Sequence, residues 1–130
     1  MRHVWTVLIA LAFGAFPGKD TAFAAAIEGS WKGKGTARLT SGEVEGLLCR
    51  IRYEKSTGRT FILHITCAHS NGIFEVSGRI VRLGASRYSG HLYSEQHSVS
   101  GEVNISVSGN RQTLKATSAK GSATVILTRQ

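Results

Sequence analysis

Aspartate does not occur after position 20 of this 130-residue chain, and proline does not occur after position 17. Without an aspartate, a Ser-His-Asp triad lacks the acid that orients its histidine. The G-x-S-x-G, phosphate-loop and H-E-x-x-H motifs are missing as well. The seven glutamates are scattered and do not form a recognisable pair of glycosidase carboxylates. We therefore predict no catalytic residue and no enzymatic activity.

Long apolar runs are also scarce. Residues 4–16 form the one extended run, and they are too few for a membrane-spanning helix, which needs about 20 residues. A short basic segment precedes this run, and a small-x-small triplet ending at Ala24 has the pattern of a signal-peptidase site. The pattern predicts a signal peptide at residues 1–24, cleaved near Ala24, and a periplasmic or secreted domain at residues 25–130. No transmembrane segment is expected in that domain.

The predicted mature domain is strongly basic. It carries fourteen lysines and arginines against seven glutamates, which gives a formal net charge of +7. Such a charge favours anionic partners such as lipid head groups or phosphorylated glycans. We expect an anionic component of the cell envelope or a protein as the partner, and neither nucleic acid nor a cofactor.

Helical periodicity is missing from this domain, and short apolar-polar alternations separated by Gly, Ser, Asn and Thr clusters take its place. The alternations predict eight strands, at residues 30–40, 47–54, 60–68, 73–83, 86–94, 98–108, 112–118 and 122–128. Their spacing of about 10 to 12 residues, with tight turns, is typical of an antiparallel meander. The predicted fold is therefore all-β, a small eight-stranded barrel, with a two-sheet sandwich as the alternative. The side chains predicted to lie inside include Trp31, Ile51, Leu63, Phe74, Val103 and Val125.

Ser-Gly pairs recur inside these alternations, at residues 77–78, 89–90, 100–101 and 108–109. In the first three pairs, the glycine falls on the face that is predicted to point inward. Strongly coiled strands need glycine where neighbouring backbones approach each other closely. The pairs therefore favour a sheet that closes on itself and leaves no exposed edge.

The two cysteines are predicted to form a disulfide. A hairpin that turns about Gly58 places Cys49 opposite Cys67, and cross-strand partners can lie within disulfide range. The compartment outside the inner membrane is oxidising, which allows the bond to form. A zinc site would need a second pair of ligands, and the sequence offers none at suitable spacing.

Basic side chains share the outward face of the first three predicted strands. They are Lys32, Lys34, Arg38, Arg50, Arg52 and His64. Because neighbouring strands lie about 4.8 Å apart, these residues would form one cationic patch, relieved mainly by Glu43, Glu45 and Glu54 near the turns. Like charges side by side on a sheet cost stability, so the patch is the predicted anion-binding site. An ordinary solvated polar face is the alternative.

A second polar group alternates along one strand face and includes residue types that bind zinc or copper. Its members are His91, Tyr93, Glu95 and His97. They run into a predicted turn and do not match the usual ligand spacings, so we predict no metal site.

The two ends of the domain carry a resemblance. Gly29-Ser30-Trp31 begins the first predicted strand, and Arg129 follows the last one. This Gly-x-Trp start resembles that of the calycin barrels, the lipocalins and avidins. The resemblance implies that Trp31 closes one end of the barrel and that Arg129 packs across it.

A second resemblance covers nearly the whole domain. The stretches WKGKGTARLTSGEVEGLLCRIRY, ITCAHSNGIFEVSGRI and YSGHLYSEQHSVSGEV resemble a family of small, exported, uncharacterised bacterial proteins. Its members share Trp-x-Gly-x-Gly-Thr, Cys-Arg-x-x-Tyr, a Cys-Ala turn and late Ser-Gly strands. The resemblance implies an exported compartment, a disulfide and this architecture, and it assigns no catalytic residue.

Together these observations predict an exported β-barrel binding module that recognises an anionic surface or protein through its basic sheet face. A calycin-like carrier of a small apolar ligand is the first alternative. The second is an inhibitor of an exported protease, because one such family also begins with Gly-x-Trp and holds one disulfide. Its inhibitory segment would have to lie at residues 25–30.

Overall fold

The computed structural model describes residues 27–130, which form eight strands joined by short turns. The strands are β1 (Gly29–Leu39), β2 (Val44–Lys55), β3 (Thr60–His69), β4 (Gly72–Arg82), β5 (Arg87–Ser94), β6 (Val99–Ser108), β7 (Arg111–Ser118) and β8 (Gly121–Arg129). Each boundary lies within three residues of its prediction, because period-two alternation and turn residues mark strand ends. The predicted signal peptide lies outside the described residues. None of the elements in residues 27–130 is a helix long and apolar enough to cross a membrane.

The strands form a closed antiparallel meander. Each strand pairs with its neighbours in sequence, and β1 pairs with β8, from Trp31 opposite Arg129 to Leu39 opposite Gly121. The closure confirms the predicted barrel and excludes the two-sheet sandwich.

The β2–β3 hairpin has the predicted register, with Cys49 opposite Cys67 and Ile51 opposite Ile65. The two cysteines form a disulfide with an S–S distance of 2.05 Å and a Cα–Cα distance of 4.1 Å. This confirms the predicted pairing, and the bond is consistent with an oxidising, exported compartment.

Inward-facing glycines allow the sheet to coil. A Cβ atom added at Gly78 would lie 2.3 Å from the backbone oxygen of His91, and one added at Gly90 would lie 2.0 Å from that of Arg79. No side chain fits at these positions without moving a neighbouring strand, so the recurrent Ser-Gly pairs are a requirement of closure. The last pair differs, since Gly109 lies in the β6–β7 turn with a φ of +62°.

The core occupies the barrel interior. Five of the six side chains predicted to lie inside are buried: Trp31, Ile51, Leu63, Val103 and Val125. The sixth, Phe74, is half-buried and packs against the edge of the core. Phe74 lies near the start of β4, at one end of the barrel.

Candidate functional site

One end of the barrel, where β1 begins and β8 ends, is capped and is called the closed end. Trp31 is fully buried there, and its indole Nε1 donates a hydrogen bond to the backbone oxygen of Ile27 at 3.0 Å. The guanidinium carbon of Arg129 lies 4.4 Å from the centroid of the Trp31 ring, and its Nη1 donates to the Glu28 backbone oxygen at 2.8 Å. The contact has the geometry of a cation–π interaction, as the calycin resemblance implied.

A buried polar pair also lies at the closed end. The Tyr53 hydroxyl donates to Oε1 of Gln112 at 2.5 Å, and both side chains are almost fully buried. Burial raises the pKa of the Tyr53 phenol well above its ordinary value, and the Gln112 hydrogen bond only partly opposes this shift. Tyr53 therefore stays neutral and acts as a packed core residue.

The opposite end, the mouth, is hollow. Small residues occupy most of the inner positions of β1, β6, β7 and β8 there: Ala37, Gly101, Ala116, Ser118 and Ala123. Leu39 of β1 and Val99 of β6 are the larger exceptions in this lining. Facing them are larger apolar side chains of β2, β4 and β5: Leu47, Phe74, Val76 and Leu92. Because one wall contributes so little side-chain volume, a cavity of about 350 Å³ opens at the mouth.

A carboxylate–imidazole pair lies in the wall of this cavity. Oε1 of Glu45 lies 3.0 Å from Nδ1 of His69, and each side chain is 20% exposed. The His69 ring centroid lies 5.4 Å from that of Phe74, which in turn lies 6.4 Å from that of His97. The mouth therefore presents a row of three flat rings beside a hydrogen-bonded acid.

Ser94 adds a second polar group to the mouth. It occupies the last inner position of β5, is 6% exposed and lines the cavity. Its Oγ has no hydrogen-bond partner among residues 27–130. An unpaired buried hydroxyl costs free energy that a partner group in the cavity would offset.

The predicted cationic residues lie together on the outside of the barrel. Lys32 lies opposite Arg50, and Arg52 lies opposite His64, and all the predicted members of the patch are exposed. The structure therefore brings these side chains onto one face, as their alternation indicates. Their role as an anion-binding site stays a prediction.

Two cations of β7, Arg111 and Lys115, lie on the same face, separated from β1 by β8. Arg111 lies opposite Thr128, which lies opposite Lys32. Lys115 lies opposite Thr124, which lies opposite Thr36 of β1. The strands β1, β7 and β8 contain no acidic residue. We call the full set the basic face: Lys32, Lys34, Arg38, Arg50, Arg52, His64, Arg111 and Lys115.

The glutamates predicted to relieve the cationic patch do not all lie on its face. Glu45 does not relieve the basic face, because it shares the inward parity of β2 and pairs with His69 in the mouth. Glu54 does lie on the outside, with Oε2 at 3.4 Å from Arg52 Nε and 3.9 Å from His64 Nε2. Glu54 therefore offsets part of the positive charge of the basic face next to Arg52 and His64.

The alternating polar group is split between two environments. His91 and Tyr93 lie on β5 and point outward, whereas Glu95 and His97 lie in the β5–β6 turn at the mouth. Within residues 27–130, no group of three or more His, Cys, Asp or Glu side chains is placed to hold a metal ion.

The described part of the predicted inhibitory segment is tied to the closed end. Ile27 is fully buried, and the backbone oxygens of Ile27 and Glu28 accept hydrogen bonds from Trp31 and Arg129. Residues 27–30 thus provide no extended segment that could enter a protease cleft.

The structure is similar to solved β-barrels, although no family model and no curated protein matches the sequence. A redesigned β-barrel, mFAP1, bound to DFHBI, has a TM-score of 0.68 at 14% identity, over 82% of this chain and 97% of that chain. A de novo designed fluorescence-activating β-barrel has a TM-score of 0.64 at 16% identity, over 82% of this chain and 96% of that chain. The S-type phycobiliprotein lyase CPES from Guillardia theta has a TM-score of 0.54 at 9% identity, over 86% of this chain and 92% of that chain.

These similarities define the class of the protein. It is a closed eight-stranded antiparallel β-barrel, an architecture shared with these designed barrels. The resemblance to small exported bacterial proteins stays a prediction.

Proposed function

We propose that the protein binds a small, largely apolar ligand in its mouth cavity. The observation that carries this proposal is the cavity itself, about 350 Å³ in volume and walled mainly by apolar side chains. Small-molecule sites commonly occupy about 300–1,000 Å³, and the mouth of a β-barrel is a frequent location for them. The designed barrel mFAP1, which is bound to DFHBI, supports the proposal at the level of the fold.

The walls indicate what kind of molecule would fit. A dry cavity of about 150 Å³ binds benzene, so this one has room for a body of roughly two such rings. The rings of Phe74, His69 and His97, which are inclined to one another, offer aromatic surface against which such a body could pack. The Glu45 carboxylate and the Ser94 hydroxyl would fix its orientation through one or two polar contacts.

Filling the cavity tests the proposal. Ala123 is a half-buried inner residue of β8 that lines the cavity, and Ala123→Phe would occupy the space. We expect the affinity for an uncharged naphthalene dye, measured by fluorescence titration, to fall at least about tenfold, or roughly 1.4 kcal/mol. Ala85→Phe is the matched control, because Ala85 lies in an exposed turn at the closed end. Equal losses in both variants, or none in Ala123→Phe, would show that the dye does not bind in the cavity.

The basic face supports a second function, recognition of an anionic partner. The observation that favours it is the grouping of cations on β7, β1 and β2, which are linked through β8. The strands β1, β7 and β8 carry no acid. With strands about 4.8 Å apart, Arg111 and Arg50 lie roughly 14 Å from each other across this face. Such a concentration of one charge attracts anions, and the attraction is screened by salt.

A sulfated polysaccharide tests the second function. The affinity of the protein for this polysaccharide should fall as the salt concentration is raised, because the Debye length shrinks to about 8 Å near 0.15 M salt. The test variant reverses three charges of the basic face: Lys34→Glu, Arg50→Glu and Arg111→Glu. The control reverses three exposed charges elsewhere: Arg59→Glu, Arg79→Glu and Arg87→Glu. Loss of binding in the first variant alone indicates a defined surface, and equal loss in both would reduce the effect to net charge.

A further inference from the structure

Exposed apolar side chains lie within the basic face. Ile126, Lys34 and Leu48 are successive cross-strand partners on β8, β1 and β2, and the same line continues through Ala68 to Ile73 on β3 and β4. Ile126 is 42% exposed, Leu48 is 59% exposed and Ile73 is 63% exposed. We call Leu48, Ala68, Ile73 and Ile126 the apolar strip.

The apolar strip and the cations are interleaved. Lys34 separates Ile126 from Leu48, and Arg50 follows Leu48 at the next outward position of β2. Val44, another exposed apolar residue, lies opposite Arg38 at the mouth end of the same face. A surface of this composition can satisfy both the anionic head groups and the acyl boundary of a membrane.

We propose that this surface docks the protein on an anionic lipid bilayer. The proposal rests on the second proposed function, anion binding by the basic face, and it names the partner. A soluble polyanion would use the cations but would gain nothing from Leu48, Ile73 or Ile126. A bilayer uses both, because the apolar side chains enter the head-group region while the cations contact the phosphates. The combination of charge and exposed apolar area therefore favours a membrane.

The position of the strip connects docking to the cavity. Leu48 follows Leu47 in β2, and Val44 precedes Glu45, and both Leu47 and Glu45 line the cavity. The apolar strip thus lies on the outside of the same half of the barrel that is hollow inside. A docked protein would hold its mouth next to the lipid, where an apolar ligand could pass between bilayer and cavity.

Vesicle binding tests the proposal. The probes are phosphatidylcholine vesicles with and without phosphatidylglycerol, and a sulfated polysaccharide, at about 0.1 M salt, where the Debye length is about 10 Å. The test variant makes the strip polar while keeping strand-forming residues: Leu48→Thr, Ile73→Thr and Ile126→Thr. The control does the same to two exposed apolar residues of the described barrel that lie away from the strip and the mouth: Val81→Thr and Leu83→Thr. Thermal midpoints of both variants are compared with that of the parent protein to verify folding.

We expect the parent protein to co-sediment with the anionic vesicles and not with the neutral ones. The strip variant should lose vesicle affinity by about tenfold or more while retaining its affinity for the polysaccharide, since its charges are intact. The control variant should bind both probes as the parent does. Unchanged vesicle binding by the strip variant, or equal losses in both variants, would overturn the proposal.

The outcome also separates this proposal from the one on which it rests. Binding to the polysaccharide without binding to anionic vesicles would leave the basic face as an anion site and remove the membrane as its partner. Binding to neither probe would remove both proposals.

Discussion

The closed end and the mouth of the barrel have the same strand geometry and opposite contents. Large side chains fill the closed end, among them Trp31, Tyr53, Phe61, Tyr88 and Leu127, all at most 3% exposed. At the mouth, most inner positions of β1, β6, β7 and β8 carry alanine, glycine or serine, and a cavity remains. Packing at one end therefore stabilises the fold, while the other end is left free to hold a molecule.

The largest expected effect is that of Trp31→Ala at the closed end. Removing a fully buried tryptophan leaves a cavity under Arg129, and we expect a loss of about 3–5 kcal/mol in the free energy of unfolding. Phe74→Ala at the mouth should cost clearly less, because Phe74 is half-buried beside space that is already empty. Denaturant titration measures both, and equal losses would contradict the division between a packed end and a hollow one.

The disulfide lies between the two regions. Replacing Cys49 and Cys67 together by alanine should lower stability by about 3 kcal/mol on the chain-entropy account, since the cysteines are 18 residues apart. Toward the mouth, β2 and β3 have less packing to hold them than toward the closed end. We therefore expect amide hydrogen exchange to rise more at Leu47 than at Tyr53, and an equal rise at both would contradict this view.

Sequence reasoning succeeds wherever the information is local. The alternation of side chains places Trp31 and Lys32 on opposite faces without knowledge of the rest of the barrel. The register of Cys49 and Cys67 follows from one short turn, since the number of turn residues fixes which positions pair. The strands, the disulfide and the outward direction of the cations could therefore be predicted.

The remaining features depend on distant parts of the chain. Arg111 and Lys115 join the basic face only because β1 pairs with β8, a contact that no hairpin dictates. The partner of Glu45 is His69, 24 residues away, and the inward parity of Glu45 was the one signal that could have separated it from the outer charges. The cavity is the sum of side-chain volumes from eight strands, so single positions do not reveal it.

The mouth cavity should not accept a larger residue at every position of its lining. Gly101 lines the cavity, yet a Cβ atom there would lie 2.3 Å from the backbone oxygen of Thr117. Because the side chain would clash with the backbone of the neighbouring strand β7, Gly101→Val should destabilise the protein by about 1–3 kcal/mol even though the cavity beside it is empty. Gly46→Val is the control, since a Cβ at Gly46 meets nothing within 4 Å. Equal stability of the two variants in thermal denaturation would show that the strands can move apart.

The fourth prediction uses pH to probe the closed end. Burial raises the pKa of Tyr53 in the folded state above its unfolded value of about 10. The stabilisation that Tyr53 provides is therefore complete below pH 10 and is lost progressively as the pH rises above 10, because the unfolded chain then loses its proton first. The stability difference between the parent and Tyr53→Phe should therefore shift against the parent by up to about 1.4 kcal/mol per pH unit above pH 10. Burial also raises the pKa of Tyr88, which is present in both proteins. A difference that stays constant between about pH 9 and 12 would show that Tyr53 is not shielded from water.

The smallest expected effect concerns Ser94, the buried polar residue of the mouth. At the closed end, Oε1 of Gln112 accepts a hydrogen bond from Tyr53, although Gln112 Nε2 has no partner among residues 27–130. The Ser94 hydroxyl, the single polar group of its side chain, has no partner there either. Ser94→Ala removes this unpaired group, so we expect a change in unfolding free energy within about 0.5 kcal/mol, in the stabilising direction. The same variant should weaken binding of a dye that carries a hydrogen-bonding group, and leave an all-hydrocarbon dye unaffected. A loss of stability above about 1 kcal/mol would mean that the hydroxyl already makes a hydrogen bond within the fold and does not await a group of the ligand.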